Sequence, residues 1–288
     1  MYINWWYNHI GVGSNVVCST IIGNARASVR GIGNNTDSTL FYVMLNLFRI
    51  EQRACDMKCT ICNTEIRGRY LIDTWHQPIC AFHKVEYCSS CGRFVKPTDF
   101  HSGDGRCLCS FCEPSIVRTP QHIEWVEERV RDILSKQGIT DLPTNLSIKL
   151  VSPVEMSHLN GTNQVNQIQP ALTRTSKTIS MFTSHCTHVI YIFDNLPKIQ
   201  FAGVLAHEML HVWQNEKGIT LSPKYTEGFC NMGSYVVYRA INTELSQHLI
   251  KQLEKDPNPI YGDGFRIVTD IYKNSNSLAD TMNAICKK

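Results

Sequence analysis

The spacing of the cysteines constrains the fold of this chain more than any other feature. Most of its thirteen cysteines lie between Cys55 and Cys112, in two sets that repeat one spacing. Each set has a Cys-x2-Cys pair, then seventeen residues, then a Cys-x2-His or Cys-x2-Cys pair. The first set is Cys59, Cys62, Cys80 and His83, and the second is Cys88, Cys91, Cys109 and Cys112. Each offers enough ligands for one tetrahedral zinc ion.

Disulfides and unpaired core cysteines are the alternatives to zinc in these sets. Paired Cys-x2-Cys spacing favours metal binding in a reducing compartment. The N-terminus shows no basic segment followed by a long apolar core, so no secretory signal is evident and we expect a cytoplasmic protein. His76 could replace Cys80 as a ligand. We interpret Cys55 and Cys107 as spare thiols.

The composition is that of a globular protein and argues against nucleic-acid and membrane partners. The chain has 288 residues, 43% of them apolar and 18% charged, which is ordinary for a globular protein. A net charge of +3 is too weak to indicate a nucleic-acid partner. The longest apolar runs are too short to span a membrane.

Three parts are predicted along the chain. Residues 1–56 are rich in Gly, Asn and Ser and are predicted to be a poorly structured extension, with one short helix at residues 40–48. A biological start at Met57 is an alternative. Residues 57–113 form the cysteine module. Residues 120–288 form a second, larger domain.

The larger domain mixes helical and strand patterns. Apolar spacing predicts strands at residues 146–152, 177–182 and 187–193, and helices at residues 122–138, 197–218 and from residue 222 to about 253. The predicted fold class is therefore α+β.

The helix at residues 197–218 carries the sequence His-Glu-Met-Leu-His. His207 and His211 lie one turn apart on one face, so both imidazoles can bind one zinc ion. Glu208 then lies beside the ion as a general base for a metal-bound water. Glu227, near the start of the next helix, is the best candidate for the third ligand, and a His-His-Glu set with an open fourth position is typical of a catalytic zinc.

Smaller features near these residues allow two interpretations each. Asn231 follows Glu227 by one turn and could orient a ligand. Gly228 could permit a close backbone approach or be a packing glycine. We interpret His185 and His188 as ordinary strand-end histidines.

The order of these motifs resembles a known family. A double zinc finger with LIM-like spacing, then "LAHEMLHVW", "EGFC" and "YGDGFR", is similar to the LIM-domain peptidases of the DA-one type, the plant organ-size regulators and their bacterial relatives. The resemblance covers about residues 57–275. It implies zinc-dependent cleavage of proteins, with His207, His211 and Glu227 as zinc ligands and Glu208 as the base.

The resulting hypothesis is a LIM-like double-zinc module followed by a gluzincin-like zinc peptidase domain. It implies one catalytic and two structural zinc ions, protein substrates, and a protein partner for the module. Plant members carry ubiquitin-interacting motifs, and residues 1–56 show no helix of that kind, so ubiquitin dependence is not expected. The alternative is a non-catalytic zinc-finger adaptor.

Overall fold

A computed structural model describes residues 57–161, 169–179 and 184–287. In these ranges the protein combines helices with three small sheets, so the predicted α+β class is confirmed. The expectations for residues 1–56, including the helix at residues 40–48, lie outside the described part. No helix among the described residues has both the length and the apolar character needed to cross a bilayer.

Two short hairpins make up the cysteine-rich region. Strands β1 (Tyr70–Ile72) and β2 (Pro78–Cys80) pair antiparallel, as do β3 (Phe100–His101) and β4 (Cys107–Leu108). A 3-10 helix follows at Glu113–Ser115. Each hairpin has only a small cluster of buried residues beneath it, and cysteines belong to both clusters. Such small clusters bury little apolar area, so this region needs another source of stability. The bounds 57–113 and 120–288 stay a prediction.

Helix α1 (Pro120–Lys136) begins the larger hydrophobic core. Thr119 caps it by accepting a hydrogen bond from the amide of His122, and Pro120 fits the first turn. Val126, Val130 and Leu134 follow one another at helical spacing and are buried. The apolar face predicted from the sequence is therefore the face that packs.

A three-stranded sheet packs in the same core. Its strands are β5 (Ser147–Val151), β6 (Ala171–Ile179) and β7 (Ser184–Phe193), in the order β5-β7-β6. Strand β7 is parallel to β5 and antiparallel to β6, and helix α2 (Pro153–Leu159) follows β5. The strands predicted at residues 146–152 and 187–193 are confirmed, whereas the one predicted at 177–182 overlaps only the end of β6. Residues Thr173–Ser176 are polar, so the first half of β6 lacks the apolar alternation from which a strand is predicted.

Helix α3 (Lys198–Lys217) crosses the centre of the core. It begins after Pro197 and ends at Gly218, whose φ of 62° is the left-handed conformation that glycine favours. Most of its residues between Gln200 and Gln214 are buried, with the sheet and the next helix packed against it. The predicted helix at residues 197–218 is confirmed.

The predicted long helix after residue 222 is wrong, because the chain breaks it in two. Helix α4 (Pro223–Ile241) ends at Asn242, which adopts the left-handed conformation. Thr243 then caps α5 (Glu244–Lys255) by a reciprocal pair of hydrogen bonds with Ser246. Two further helices, α6 (Tyr261–Tyr272) and α7 (Leu278–Cys286), complete the domain.

Arg106 joins the cysteine-rich region to the larger core. Its guanidinium donates to the carbonyl of Asp194 at 2.8 Å and to the Asp194 carboxylate at 2.5 Å, just after β7. A second carboxylate, that of Asp104, lies 2.7 Å away. The Arg106 side chain is buried, so the network loses little to solvent screening.

We expect Arg106→Leu to lower the free energy of unfolding by about 2–3 kcal/mol, because both aspartates lose their buried cation while Asp194 stays partly hydrated. Urea denaturation followed by circular dichroism measures this. Arg118→Leu is the control, since its ion pair with Glu113 is exposed and contributes at most about 1 kcal/mol. Equal losses in the two variants would contradict this role for Arg106.

Candidate metal centres

Helices α3 and α4 bring three metal-ligating side chains together in the larger core. The Nε2 atoms of His207 and His211 lie 3.1 Å apart. Oε2 of Glu227 lies 3.3 Å from the first nitrogen and 3.5 Å from the second. Ligands at about 2.0–2.1 Å from a tetrahedral zinc ion lie about 3.3 Å from one another. The three side chains therefore have the spacing that a zinc ion requires.

The Glu227 carboxylate shows that the centre suits a cation. Its Oε2 atom is buried and lies at ion-pair distance from both imidazoles, yet it accepts no hydrogen bond within the described structure. Burial opposes ionisation, but the neighbouring His207 and His211 outweigh it and lower the pKa of Glu227 to about 2. A buried carboxylate that stays ionised between two imidazoles suits a metal ligand.

A chain of hydrogen bonds orients His207. Its Nδ1 donates to Oδ1 of Asn231 at 2.9 Å, and Nδ2 of Asn231 donates to the Tyr261 carbonyl at 3.2 Å. The second bond fixes which way the buried amide faces. The Nε2 lone pair of His207 is thus left facing His211 and Glu227. This arrangement agrees with the orienting role considered for Asn231.

Cys230 contributes a thiol that the sequence analysis missed. Its sulfur and the imidazole nitrogens of His207 and His211 lie within 4.8 Å of one another. Burial raises the pKa of the Cys230 thiol, and Nε2 of Gln214 donates to the sulfur at 3.0 Å. The only sequence signal is its position one residue before Asn231. A thiol that stays neutral is a poorer metal ligand than the ionised carboxylate of Glu227.

Thr173 holds the glutamate of the motif. The hydroxyl of Thr173, on β6, donates to Oε2 of Glu208 at 2.6 Å, and the Glu208 side chain is buried. The sheet therefore fixes the carboxylate that follows the first histidine. No pattern in the sequence indicated this contact, because Thr173 is 35 residues away.

Glycines bring α6 against α4 beside Glu227. A Cβ at Gly228 would lie 2.4 Å from the backbone of Gly264, and one at Gly264 would lie 2.2 Å from the Lys224 carbonyl. The two helices thus touch through their backbones, which only glycine permits. Of the two interpretations of Gly228, the structure supports close approach. The motif "YGDGFR" forms the first turns of α6 that make this contact.

The two cysteine sets also come together in space. Sγ of Cys62 lies 3.9 Å from Sγ of Cys80, and Sγ of Cys91 lies 3.6 Å from Sγ of Cys109. Sulfurs at about 2.3 Å from a tetrahedral zinc ion lie about 3.8 Å apart. All members of each set have ligand atoms within 4.8 Å of one another. The described cysteines are free, and none forms a disulfide.

Two observations on the first cysteine set, that of Cys59, Cys62, Cys80 and His83, agree with metal binding there. Nε2 of His83 is buried and has no hydrogen-bond partner among the described residues. Hydrogen bonds with Thr64 are the main cause that lowers the pKa of the Cys62 thiol to about 6, which favours the thiolate that binds metal. The structure brings Cys80 into the first set, whereas His76 lies in an exposed turn.

Cys107 stays apart from both sets. Its thiol donates to the Tyr87 carbonyl at 3.1 Å, and burial raises its pKa to about 11. A thiol with a raised pKa and a satisfied hydrogen bond is a poor ligand. This agrees with its interpretation as a spare thiol.

Comparison with known proteins finds a family model that matches the part of the chain that holds this centre. Residues 135–238 match the family model described as DA1-like: Protein DA1. The resemblance to the DA-one family is thereby confirmed. The matched region contains His207, Glu208, His211 and Glu227, and both cysteine sets lie before it.

Two proteins of Arabidopsis thaliana are similar to the chain over more than this matched region. Protein DA1 is 24% identical over 277 residues, which cover 73% of this chain and 52% of that protein. Protein DA1-related 1 is 24% identical over 264 residues, which cover 67% of this chain and 46% of that protein. The chain thus spans about half the length of these curated relatives. No solved structure matches it.

Proposed function

We propose that the chain is a zinc-dependent endopeptidase that cleaves protein substrates. The observation that carries the proposal is the convergence of the His207, His211 and Glu227 ligand atoms within 3.5 Å, beside the buried carboxylate of Glu208. Three protein ligands leave a fourth position open, which is typical of catalytic rather than structural zinc.

His207, His211 and Glu227 would hold the zinc ion. When bound, zinc supplies Lewis-acid polarisation of a peptide carbonyl and lowers the pKa of water. The protein supplies the proton transfers. Glu208 takes a proton from the attacking water and gives it to the leaving amide nitrogen, so the C–N bond breaks to yield a carboxylate and an amine. Thr173 holds Glu208 in position for both transfers.

Strand β6 offers a place for an extended substrate. It pairs only with β7 among the described strands, so none of those strands occupies its other edge. A peptide that paired with this edge would run past Thr173 and the carboxylate it holds. Recognition through backbone hydrogen bonds suits an enzyme that acts on polypeptides.

The two cysteine sets complete the proposed architecture. Each would hold one structural zinc ion in a LIM-like module that precedes a gluzincin-like domain, and the module would dock a protein partner. Its small buried clusters support this assignment, because zinc then supplies the missing stability. Exposed Phe82 and Phe111 offer apolar contacts for such a partner.

Zinc content tests the proposed centre directly. We expect a His207→Ala/His211→Ala double variant of the full chain to hold one zinc ion fewer than the wild type, as measured by elemental analysis after dialysis. Both cysteine sets should keep their ions. Equal zinc contents would mean that this centre is empty, and the adaptor alternative would then be favoured.

The Thr173 hydrogen bond provides a finer test of the mechanism. We expect Thr173→Val to lower kcat about 10- to 100-fold with little change in KM, because a hydrogen bond to a carboxylate contributes about 1.5–3 kcal/mol. Thr173→Ser keeps the hydroxyl and should retain most of the activity. Steady-state cleavage of a labelled unfolded protein measures both. Equal losses in the two variants would assign the effect to packing.

A further inference from the structure

A fourth set of metal-ligating side chains lies outside the centres described so far. Cys186 and His188 are two residues apart on β7, so their side chains point to the same face of the sheet. Glu216 reaches them from the last turn of α3. The sulfur, an imidazole nitrogen and a carboxylate oxygen lie within 4.8 Å of one another.

His188 is held rigidly at the centre of this set. It is only 4% exposed, and it lies inside β7 (Ser184–Phe193), so its interpretation as a strand-end histidine is wrong. Nδ1 forms a hydrogen bond with the hydroxyl of Thr175, its cross-strand neighbour, at 2.9 Å. That hydroxyl also accepts from Nδ2 of Asn215 at 2.9 Å. Nε2 of His188 lies 2.6 Å from Oε1 of Glu216.

The arrangement around His188 matches the surroundings of a metal ligand. A histidine that binds metal through one ring nitrogen is usually oriented by a hydrogen bond at the other, which Thr175 provides here. Thr175 is itself fixed by Asn215. An ion pair between His188 and Glu216 would account for two of the three groups, but it would leave the nearby sulfur of Cys186 without a role.

We propose that Cys186, His188 and Glu216 bind one zinc ion at a site separate from the His207–His211 centre. Sulfur, imidazole and carboxylate are all zinc ligands, and together they leave one position for water. Tetrahedral ligands lie about 3.3 Å apart, so the Glu216 carboxylate must move slightly away from His188. Its side chain is one-third exposed and has room to do so.

Zinc at this site would join β7 to the last turn of α3. That helix also carries His207 and His211, so the bound ion would fix the far end of the helix that presents the first centre. Because the folded chain binds the ion and the unfolded chain lacks the assembled site, added Zn2+ should raise the melting temperature.

The test compares the full chain with Glu216→Gln and Cys186→Ser, each saturated with Zn2+, dialysed and analysed for zinc. We expect each variant to hold one zinc ion fewer than the wild type. We also expect added Zn2+ to raise the melting temperature of each variant less than it raises that of the wild type. Glu244→Gln, an exposed position in α5, is the matched control and should behave as the wild type.

The amide introduced by Glu216→Gln can still form a hydrogen bond with His188, so this variant removes the ligand charge with little change of shape. An unchanged zinc content in either variant would overturn the proposed ligand set and leave an ion pair only. The His207→Ala/His211→Ala variant reports on the other centre, so failure of the peptidase proposal and failure of this site give different results.

Discussion

Glu208→Gln should abolish nearly all peptidase activity while leaving the zinc content unchanged. The amide cannot take a proton from water, and general base catalysis of this kind contributes about 10²–10⁴-fold to the rate. Glu208 is beside the three proposed ligands but is not one of them, so the ion should stay. The carbonyl oxygen of the introduced amide can still accept the hydrogen bond of Thr173, which keeps the local packing.

Cleavage of a labelled unfolded protein by the zinc-loaded full chain measures this effect, with zinc determined on the same samples. Glu244→Gln serves again as the control and should keep full activity, because it lies exposed in the first turn of α5. Wild-type turnover in Glu208→Gln would refute the mechanism. Loss of zinc in that variant would instead make Glu208 a ligand or a structural support of the centre.

Cys109→Ser should unfold much of the cysteine-rich region. Loss of one of four thiolates would remove the zinc ion that we propose for the second set. Zinc binding contributes about 10–16 kcal/mol to the folding of small finger peptides. The residues packed beneath the β3–β4 hairpin bury too little apolar surface to replace that contribution to the free energy of folding. We expect one zinc ion fewer and rapid proteolysis within residues 57–116.

Cys107→Ser is the matched control, two residues away on the same hairpin. Its thiol belongs to neither set and only donates to the Tyr87 carbonyl, which a serine hydroxyl can also do. Zinc content and limited proteolysis of the full chain should match the wild type. If Cys109→Ser were as resistant to protease as Cys107→Ser, the second set would not be a structural zinc site.

Much of the His207–His211 centre could be predicted from the sequence because its ligands lie close together along the chain. Helical periodicity alone puts His207 and His211 one turn apart, and the caps at Pro197 and Gly218 bound the helix that carries them. The two cysteine sets could also be predicted from the sequence. In each set, two pairs of ligands have the short spacing of a tight turn, and two such turns can bind one metal ion. Glu227 was predicted from its place near the start of the next helix, which the structure packs against α3.

Other features could not be predicted because they depend on contacts between distant segments. Strand β6 is polar at its centre, so its pattern was weak, yet it supplies the hydroxyl that holds Glu208. The break at Asn242 depends on a left-handed residue inside an otherwise helical pattern. His188 gave no signal at all, because its partner Glu216 is 28 residues away.

The sequence by itself determined which side chains can act as ligands and which of them lie within one turn of one another. The tertiary structure decided how those groups are held. Asn231 orients His207, Thr173 holds Glu208, and the contact between Gly228 and Gly264 sets α6 against the helix that carries Glu227. The reason is physical: ligand spacing on one helix follows from backbone geometry, whereas the direction of each lone pair depends on hydrogen bonds from other elements.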